Sequence, residues 1–368
     1  MKAAFDGMIE CRFIEITSKG SHFKELLTGF VATDQLLERM ENLEGHPAFV
    51  LSPPKDEEII ILRDKIGDQK VDVDYKDTPK TERFRSNLKK INQCFLKHWA
   101  DLRIKNTEYQ RLAERILQDK DKEPIDLSRR TLTRIFANGS FEKGGRFYRG
   151  WWQNVPSEYR PFITIDEAIT TEYDYSQLSP HMLYFAYNYE MGNEDAYDRV
   201  LDGEHRDVVK QAFNAMVQAN SPLNLKPDKI NMDGLEMEWK DLRQRILDTH
   251  KPIKGLFFIG EGNKLQYKDS CIAESVMLQF ADQNQVALPI HDSFIMQQGF
   301  AGDLEEAMRR AFYDEFQSDI PIKHEVIVER EPLFEDDGTP RIEAVTKDDK
   351  EHSQWYDRNT MWLSNKGR

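Results

Sequence analysis

Apolar residues recur at helical spacing along several stretches of the chain. Between residues 82 and 118, Leu88, Ile91, Phe95 and Trp99 fall on one face of a helix, so the pattern predicts one or two long helices there. The same periodicity predicts further helices over 35–43, 176–189, 203–220, 234–250, 264–283 and 303–316.

Short apolar runs predict strands at 58–62, 71–75, within 163–174, and at 286–290, 294–297 and 322–328. Ser128 is suited to cap a short helix over 128–136, with Asn138 and Gly139 as its stop. From Gly144 onward, strand-like and helical segments alternate, whereas the tail after Glu331 is acidic and weakly patterned. The pattern therefore indicates an α/β or α+β fold, with a sheet layered by helices.

The chain has 368 residues, of which 39% are hydrophobic and 32% charged, and this composition is typical of a globular protein. It contains no apolar run of membrane-spanning length and no apolar signal core near its start, so we expect a cytoplasmic protein with no membrane partner. The three cysteines are widely spaced, and we expect neither a disulfide framework nor a structural zinc site.

Two basic runs interrupt a chain whose net charge is −14. Residues 80–105 hold eight Lys or Arg against two acids, and residues 129–149 hold six against Glu142 alone. Aromatic residues are interleaved with both runs. Each run by itself also fits a solvated helix face, but cations mixed with aromatic rings are typical of a nucleic-acid channel.

Two aspartates follow apolar strands. Asp174 ends the strand predicted within 163–174 and directly precedes a helix, while Asp292 follows His291 in a turn between two short strands. Singly, these aspartates also fit a helix cap and a polar turn. As a pair at the ends of strands in one sheet, they can flank a two-metal centre, which activates an attacking oxygen and steadies a leaving pyrophosphate.

Cations suited to phosphate binding lie between and before the two aspartates. Arg206 and Lys210 are four residues apart on a predicted helix and therefore share one face, where they can clamp a triphosphate. Gly144 and Gly145 precede Arg146, and glycines allow a close approach of the backbone to a phosphate chain. Alone, these features also fit a solvated helix and a loop packed by aromatics.

The two aspartate segments resemble motifs of a known superfamily. Residues 173–178, Tyr-Asp-Tyr-Ser-Gln-Leu, resemble the first palm motif of family A DNA polymerases, in which the Asp binds metal. Residues 291–294, His-Asp-Ser-Phe, resemble the third palm motif, with a Ser and Phe that are closer to the single-subunit phage-type and mitochondrial RNA polymerases.

The other features extend this resemblance. Arg206 and Lys210 are similar to the Arg and Lys of the fingers helix, and residues 145–148 to a Gly-Arg-Val-Tyr element ahead of the palm in those RNA polymerases. The motifs follow the order of the family over about residues 140–330. The resemblance implies an α+β right-hand polymerase with a palm sheet, helical fingers and a helical, thumb-like N-terminal part.

The resemblance also assigns roles and domains. It implies two Mg²⁺ ions (Mn²⁺ being an alternative) held by Asp174 and Asp292, with His291 and Lys210 as further catalytic residues. It implies substrate binding by Arg206, Lys210, Gln177, Ser179, Tyr175 and Arg146. The implied domains are an N-terminal mixed α/β region (1–77), a basic helical thumb-like region (78–139), the first part of the palm (140–184), reduced fingers (185–255), the second part of the palm (256–332) and an acidic tail (333–368).

The expected activity is attack of a 3′-hydroxyl on a ribo- or deoxynucleoside triphosphate, on a DNA or RNA primer-template. Two departures keep alternatives open: Gln218 and Ala219 replace a Tyr-Gly pair that shapes the templating pocket, and Ser179 replaces a Glu that excludes ribonucleotides. A template-independent or protein-primed transferase of a mobile element or phage-defence system is the first alternative. A non-catalytic nucleic-acid-binding protein on a polymerase scaffold is the second, and a metal nuclease the third.

Overall fold

A computed structural model describes residues 2–18, 29–41, 57–67, 69–118, 123–192, 194–325, 342–349 and 353–365. The chain forms two compact units, Met1–Ser52 with Gly367–Arg368, and Pro53–Lys366. The first unit contains α1 (Lys2–Glu10), α2 (Asp34–Glu41), and an antiparallel pair of strands, β1 (Ile14–Ser18) and β2 (Gly29–Ala32).

The second unit contains all the sequence motifs described above. Its helices are α3 (Pro79–Lys97), α4 (Asn106–Gln118), α5 (Leu178–Ala186), α6 (Arg206–Gln218), α7 (Trp239–Thr249), α8 (Gly262–Asp282), α9 (Ala301–Phe316) and α10 (Gln354–Asn365). Its strands are β3 (Ile60–Ile66), β4 (Gln69–Asp72), β5 (Ala100–Leu102), β6 (Thr133–Ala137), β7 (Ser140–Tyr148), β8 (Ile163–Ile165), β9 (Ala168–Tyr175), β10 (Leu288–Ile290), β11 (Ser293–Gln297) and β12 (Ile322–Glu325). The fold is mixed α+β, as the alternating patterns predict.

A six-stranded antiparallel sheet runs in the order β10-β11-β9-β8-β5, and β12 also pairs with β9. The long strand β9 is rich in β-branched and aromatic residues, which favour strands. It pairs with β11 along one edge, and its other edge is shared by β8 near its start and β12 near its end. Strand β9 therefore positions the ends of β11 and β12 that lie beside its own end.

The second sheet has four strands in the order β4-β3-β6-β7, with β3 and β6 parallel. The structure contradicts the short helix predicted from Ser128, because residues 133–137 form β6. Asn138 (φ 53°) and Gly139 (φ 61°) make the tight turn to β7 instead of ending a helix. Both turn positions have positive φ, which an Asn-Gly pair adopts readily in a two-residue hairpin.

Helix α8 packs against β7, α3 and α9, and so lies between the two sheets. Leu265, Ile272, Val276 and Phe280 of this helix are buried in the main hydrophobic core. Within the described ranges, no helix combines the length and the apolar composition that a membrane crossing requires.

The periodic stretch 82–118 forms two helices, α3 and α4, with the unpredicted strand β5 between them at one edge of the six-stranded sheet. Trp99 lies beyond the end of α3 and packs with Val345 and Trp355 in a separate small cluster. Trp355 belongs to α10, so the tail that appeared weakly patterned contains a helix that the sequence analysis missed.

Candidate active site

The register of β9 and β11 makes Asp174 and Asp292 neighbours. Asp174, the penultimate residue of β9, lies directly opposite Ser293, and opposed residues of antiparallel strands have Cα atoms about 4.5–5.5 Å apart. Asp292 immediately precedes Ser293, in the two-residue turn between β10 and β11. The backbone N–H of Tyr175 donates to the Asp292 carbonyl at 3.3 Å. Two residues far apart in the sequence therefore meet at one end of the sheet.

A buried polar network fixes this register. Glu172 precedes Asp174 by two residues, so the two side chains share one face of β9. The Ser293 hydroxyl donates to Glu172 Oε1 at 2.5 Å, and Arg160 Nη1 lies 3.0 Å from the same oxygen. Glu172 and Ser293 are both buried. No role was predicted for Glu172, although it stands only two residues before Asp174 in the sequence.

Arg146 contacts α8. Its Nε donates to Asp269 Oδ2 at 2.6 Å, and Asp269 is only 2% exposed. Burial raises the pKa of Asp269 from 3.8 to about 6; the Arg146 charge opposes this rise, and the negative charge of Asp292 adds to it. Arg146, Asp269 and Asp292 are thus electrostatically coupled, and Asp269 joins the site although it was assigned no role from sequence.

A bulged part of β7 presents Arg146. The preceding glycines lie in this strand and not in the loop that the sequence suggested, with φ of 69° at Gly144 and 76° at Gly145. A Cβ at Gly145 would lie 2.7 Å from the Phe136 ring. Glycine is therefore required here both by backbone conformation and by close packing.

His291 occupies the first position of its turn at φ 56°, a value that this place in a two-residue hairpin demands. Its ring lies edge-on to Tyr148, with ring centroids 6.3 Å apart. Burial lowers the pKa of His291, and the charges of Arg146 and Arg160 lower it further, against the opposing effect of Asp292. His291 is therefore neutral at pH 7.

A turn over residues 195–198 connects the predicted phosphate-binding residues with the sheet. Gln177, the N-cap of α5, accepts a hydrogen bond from the Ala196 N–H at its Oε1. Arg206 pairs with Asp195 at 2.8 Å. The turn therefore links the residues that follow Asp174 with the first residue of α6.

Tyr197 extends this link towards the second aspartate. The Arg206 guanidinium lies over its ring, 5.2 Å from the centroid. Burial raises the pKa of Tyr197, and the negative charge of Asp292 raises it further against the opposing charge of Arg206. The charges of Arg206 and Asp292 therefore both affect the pKa of Tyr197.

The remaining predicted site residues differ in exposure. Lys210 is exposed, with no ion-pair partner among the residues that the structure describes, and Ser179 is half-buried in the first turn of α5. Tyr175 is 2% exposed, and its hydroxyl donates to the Met308 carbonyl at 2.6 Å. The side chain of Tyr175 therefore lies in the core beneath α9.

No three His, Cys, Asp or Glu side chains converge as metal ligands within the part of the chain that the structure describes. Proteins often bind Mg²⁺ through only one or two carboxylates, with water and substrate phosphates completing the shell. Asp174 and Asp292 provide this kind of donor set, which consists of oxygen alone and comes from two adjacent strand ends. Their chemistry fits an open Mg²⁺ site and does not fit a closed metal cage.

An open cavity of about 370 Å³ is lined in part by Gln177. Its lining comes from α5, the segment after it, α9 and the residues before β12: Gln177, His181, Phe185, Met191, Gly192, Glu194, Arg309, Asp319, Ile320 and Pro321. Arg309 is occupied by Glu305, Asp319 and the Ile320 carbonyl. The cavity therefore offers little free positive charge to an anionic ligand.

No protein-family model and no curated protein matches this chain. Among solved structures, the fold is similar to the polymerase domain of Pol1 from M. smegmatis in complex with a DNA primer-template and dNTP. The TM-score is 0.36 and the sequence identity 12%, over 59% of this chain and 49% of that one. The chain thus spans about half the length of that polymerase domain.

Proposed function

We propose that this chain is a nucleotidyltransferase of the polymerase type, which joins a nucleotide from a nucleoside triphosphate to a 3′-hydroxyl and releases pyrophosphate. The observation that carries the proposal is the strand register that sets Asp174 opposite Ser293 and so beside Asp292. A pair of carboxylates at adjacent strand ends, with Arg146 electrostatically coupled to Asp292, suits chemistry on a phosphate chain.

Asp174 and Asp292 would hold Mg²⁺, with Mn²⁺ as the alternative ion. When bound, such ions activate the attacking hydroxyl and neutralise charge on the leaving pyrophosphate. The side chains of Arg206 and Lys210 share one face of α6, where they can bind the phosphates. Lys210 is the proposed proton donor to the leaving pyrophosphate.

His291 and Arg146 are both electrostatically coupled to Asp292. A neutral imidazole can hydrogen-bond to the sugar or hydroxyl of a primer end without attracting the phosphates away from α6. Arg146 keeps its charge while paired with Asp269, and it lies at the β7 edge of the site, where a nucleic-acid backbone can be contacted. Ser179 is small and leaves room for a ribose 2′-hydroxyl.

One observation favours the template-independent alternative as a second candidate. At the end of α6, the Gln218 side-chain amide packs on the Cα of Gly262, and the Ala219 carbonyl accepts the Gly260 N–H at 2.9 Å. This end of the helix contacts the start of α8, and its last residue Gln218 and its C-cap Ala219 provide no aromatic side chain to stack on a templating base.

The test is incorporation of labelled ribo- and deoxynucleoside triphosphates with Mg²⁺ on three substrates: a primed template, a single strand alone, and no nucleic acid. Asp174→Asn and Asp292→Asn are expected to lower incorporation by about a thousandfold while circular dichroism and thermal melting stay unchanged. Asp314→Asn, at an exposed position of α9, is the matched control. Near-normal incorporation by either site variant would show that the aspartate pair is not the catalytic centre.

The three substrates also separate the two candidates. A templated enzyme incorporates the complementary nucleotide on the primed template and little on the single strand. A template-independent enzyme extends both strands, with the same nucleotide preference on each. Absence of product on all three substrates, from protein that melts cooperatively, would leave the binding-protein alternative.

A further inference from the structure

The two carboxylate oxygens of Asp195 have different partners. Oδ1 accepts the backbone N–H groups of Tyr197, at 2.8 Å, and Asp198, at 3.1 Å, which closes the 195–198 turn. Oδ2 accepts from Arg206, 2.8 Å from Nη2 and 3.2 Å from Nε. One side chain therefore both shapes the turn and holds the arginine at the start of α6.

The Arg206 guanidinium is fixed along one edge and one face. Asp195 occupies its Nε edge, Asp198 Oδ1 lies 3.6 Å from the same Nε, and the Tyr197 ring lies against the plane. A guanidinium carries five N–H donors in a rigid fork. The donors of Nη1 and the second donor of Nη2 have no partner among the described residues, so the terminal fork remains available.

The same turn is anchored to the sheet side of the site. Its Ala196 N–H donates to Gln177 Oε1, and its Ala196 carbonyl accepts from His250 Nε2 at 3.0 Å. His250 is fully buried, and burial together with the Arg199 charge lowers its pKa to about 4, so the ring stays neutral and its tautomer is set by these bonds. The turn therefore holds a fixed position between Gln177 and α6.

From this geometry we infer that Asp195 is a positioning residue for nucleotide binding: it holds Arg206 by the Nε edge so that the terminal fork meets the phosphates of the nucleotide. The inference rests on the proposed function and adds a residue to it. The 195–198 turn thereby sets the distance between the phosphate-binding face of α6 and the residues that follow Asp174.

In the opposite role, Asp195 would occupy the place of a phosphate and compete with the nucleotide. A guanidinium can bind an oxyanion along its Nε–Nη edge or along its terminal Nη1–Nη2 fork, and Asp195 takes the Nε edge. The two roles are separated by the effect of removing the charge, which is opposite in sign: loss of a competitor would lower KM, and loss of a positioning residue would raise it.

The variant is Asp195→Asn, which keeps an oxygen for the two turn N–H groups and removes the charge from Arg206. With the triphosphate that the wild type incorporates fastest, we expect KM to rise about tenfold and kcat to change little. Asp202→Asn, an exposed acid a few residues away that makes no bond to Arg206 within the described chain, is the control for charge alone. In an Arg206→Ala background, Asp195→Asn should add no further rise in KM, because it acts through that arginine.

An unchanged or lowered KM in Asp195→Asn, or an equal further rise in the Arg206→Ala background, would overturn the inference. Calorimetric measurement of magnesium ATP binding distinguishes failure of the positioning role of Asp195 from failure of the proposed nucleotidyl transfer. Weaker binding by Asp195→Asn than by Asp202→Asn, from a wild type that incorporates no nucleotide, would support the positioning role and refute the transfer reaction. A wild type that neither binds nor incorporates would refute both.

Discussion

The buried carboxyl of Asp269 should make the stability of this protein depend on pH in an unusual direction. Its pKa rises from 3.8 to about 6 in the folded protein. Each pKa unit corresponds to about 1.4 kcal/mol, so ionising Asp269 in the native state costs about 3 kcal/mol relative to the unfolded chain. Below both pKa values the carboxyl is protonated in both states and this cost is absent.

As pH rises, the unfolded chain loses this proton first, and the native state keeps it until about pH 6. The contribution of Asp269 to the free energy of unfolding therefore falls between these two pKa values. Of the total change of about 3 kcal/mol in the free energy of unfolding, about 1.4 kcal/mol should be lost between about pH 5 and about pH 7.5. Asp269→Asn cannot ionise, so its stability relative to the wild type should rise by this amount over the same interval.

Urea unfolding of the wild type and Asp269→Asn across that pH range measures the difference directly. Asp282→Asn removes an exposed carboxylate from the end of the same helix and serves as the control. The activity should follow the same group: below about pH 6 the protonated Asp269 pairs less strongly with Arg146, so incorporation should fall on the acid side, and Asp269→Asn should flatten that limb. If the difference in the free energy of unfolding between Asp269→Asn and the wild type stays constant with pH, or falls as pH rises, the pKa of Asp269 is not raised in the folded protein.

Two further predictions concern other parts of the fold. Lys89 and Lys97 lie on the exposed face of α3. Lys89→Glu and Lys97→Glu should each weaken the binding of single-stranded DNA and reduce the slope of log Kd against log salt by about one. A slope equal to that of the wild type would show that α3 does not contact the DNA. Arg134→Met removes the ion-pair partner of Glu274, which lies 2.9 Å away, and leaves this carboxylate with a hydrogen bond from Asn87. It should lower the free energy of unfolding, measured in urea, by about 3 kcal/mol. A loss below about 1 kcal/mol would show that the ion pair is dispensable.

The elements with a regular apolar period were predictable from sequence. Helices α5, α6 and α7 lie within stretches where apolar residues recur at helical spacing, whereas α8 and α9 each begin two residues before the stretch predicted for them. The reason is physical: each of these helices buries one face against a sheet or another helix, and the side chains on that face must recur every three or four residues. The fold class followed from the alternation of such stretches with short strands.

The segments that were wrongly predicted have short or irregular patterns. β6 has its alternation broken by a bulge and by Arg134, which is fully buried and would ordinarily indicate a surface position. β5 is only three residues long, and its buried Asp101 is neutralised by Arg358 of α10, from the distant tail. A pairing between such remote positions leaves no local signal in either segment.

The residues of the candidate site likewise fall into those that could be predicted from the sequence and those that could not. Asp174 and Asp292 could be singled out because each follows an apolar strand, and strand ends of one sheet meet. Asp269 and Asp195 could not, because an aspartate within a helix and one in an acidic loop are common surface residues. Their roles arise only from contacts with Arg146 and Arg206, which are set by the packing of α8 on β7 and by the turn before α6.

These contacts determine the charge that a substrate would meet. Each arginine of the site is already paired with an acid from another part of the chain: Arg146 with Asp269, Arg160 with Glu172, and Arg206 with Asp195. The charges within each of these three pairs largely cancel. In the proposed reaction, the paired arginines would orient hydrogen bonds to the nucleotide, and the divalent cation that the nucleotide brings with it would supply positive charge that these pairs do not.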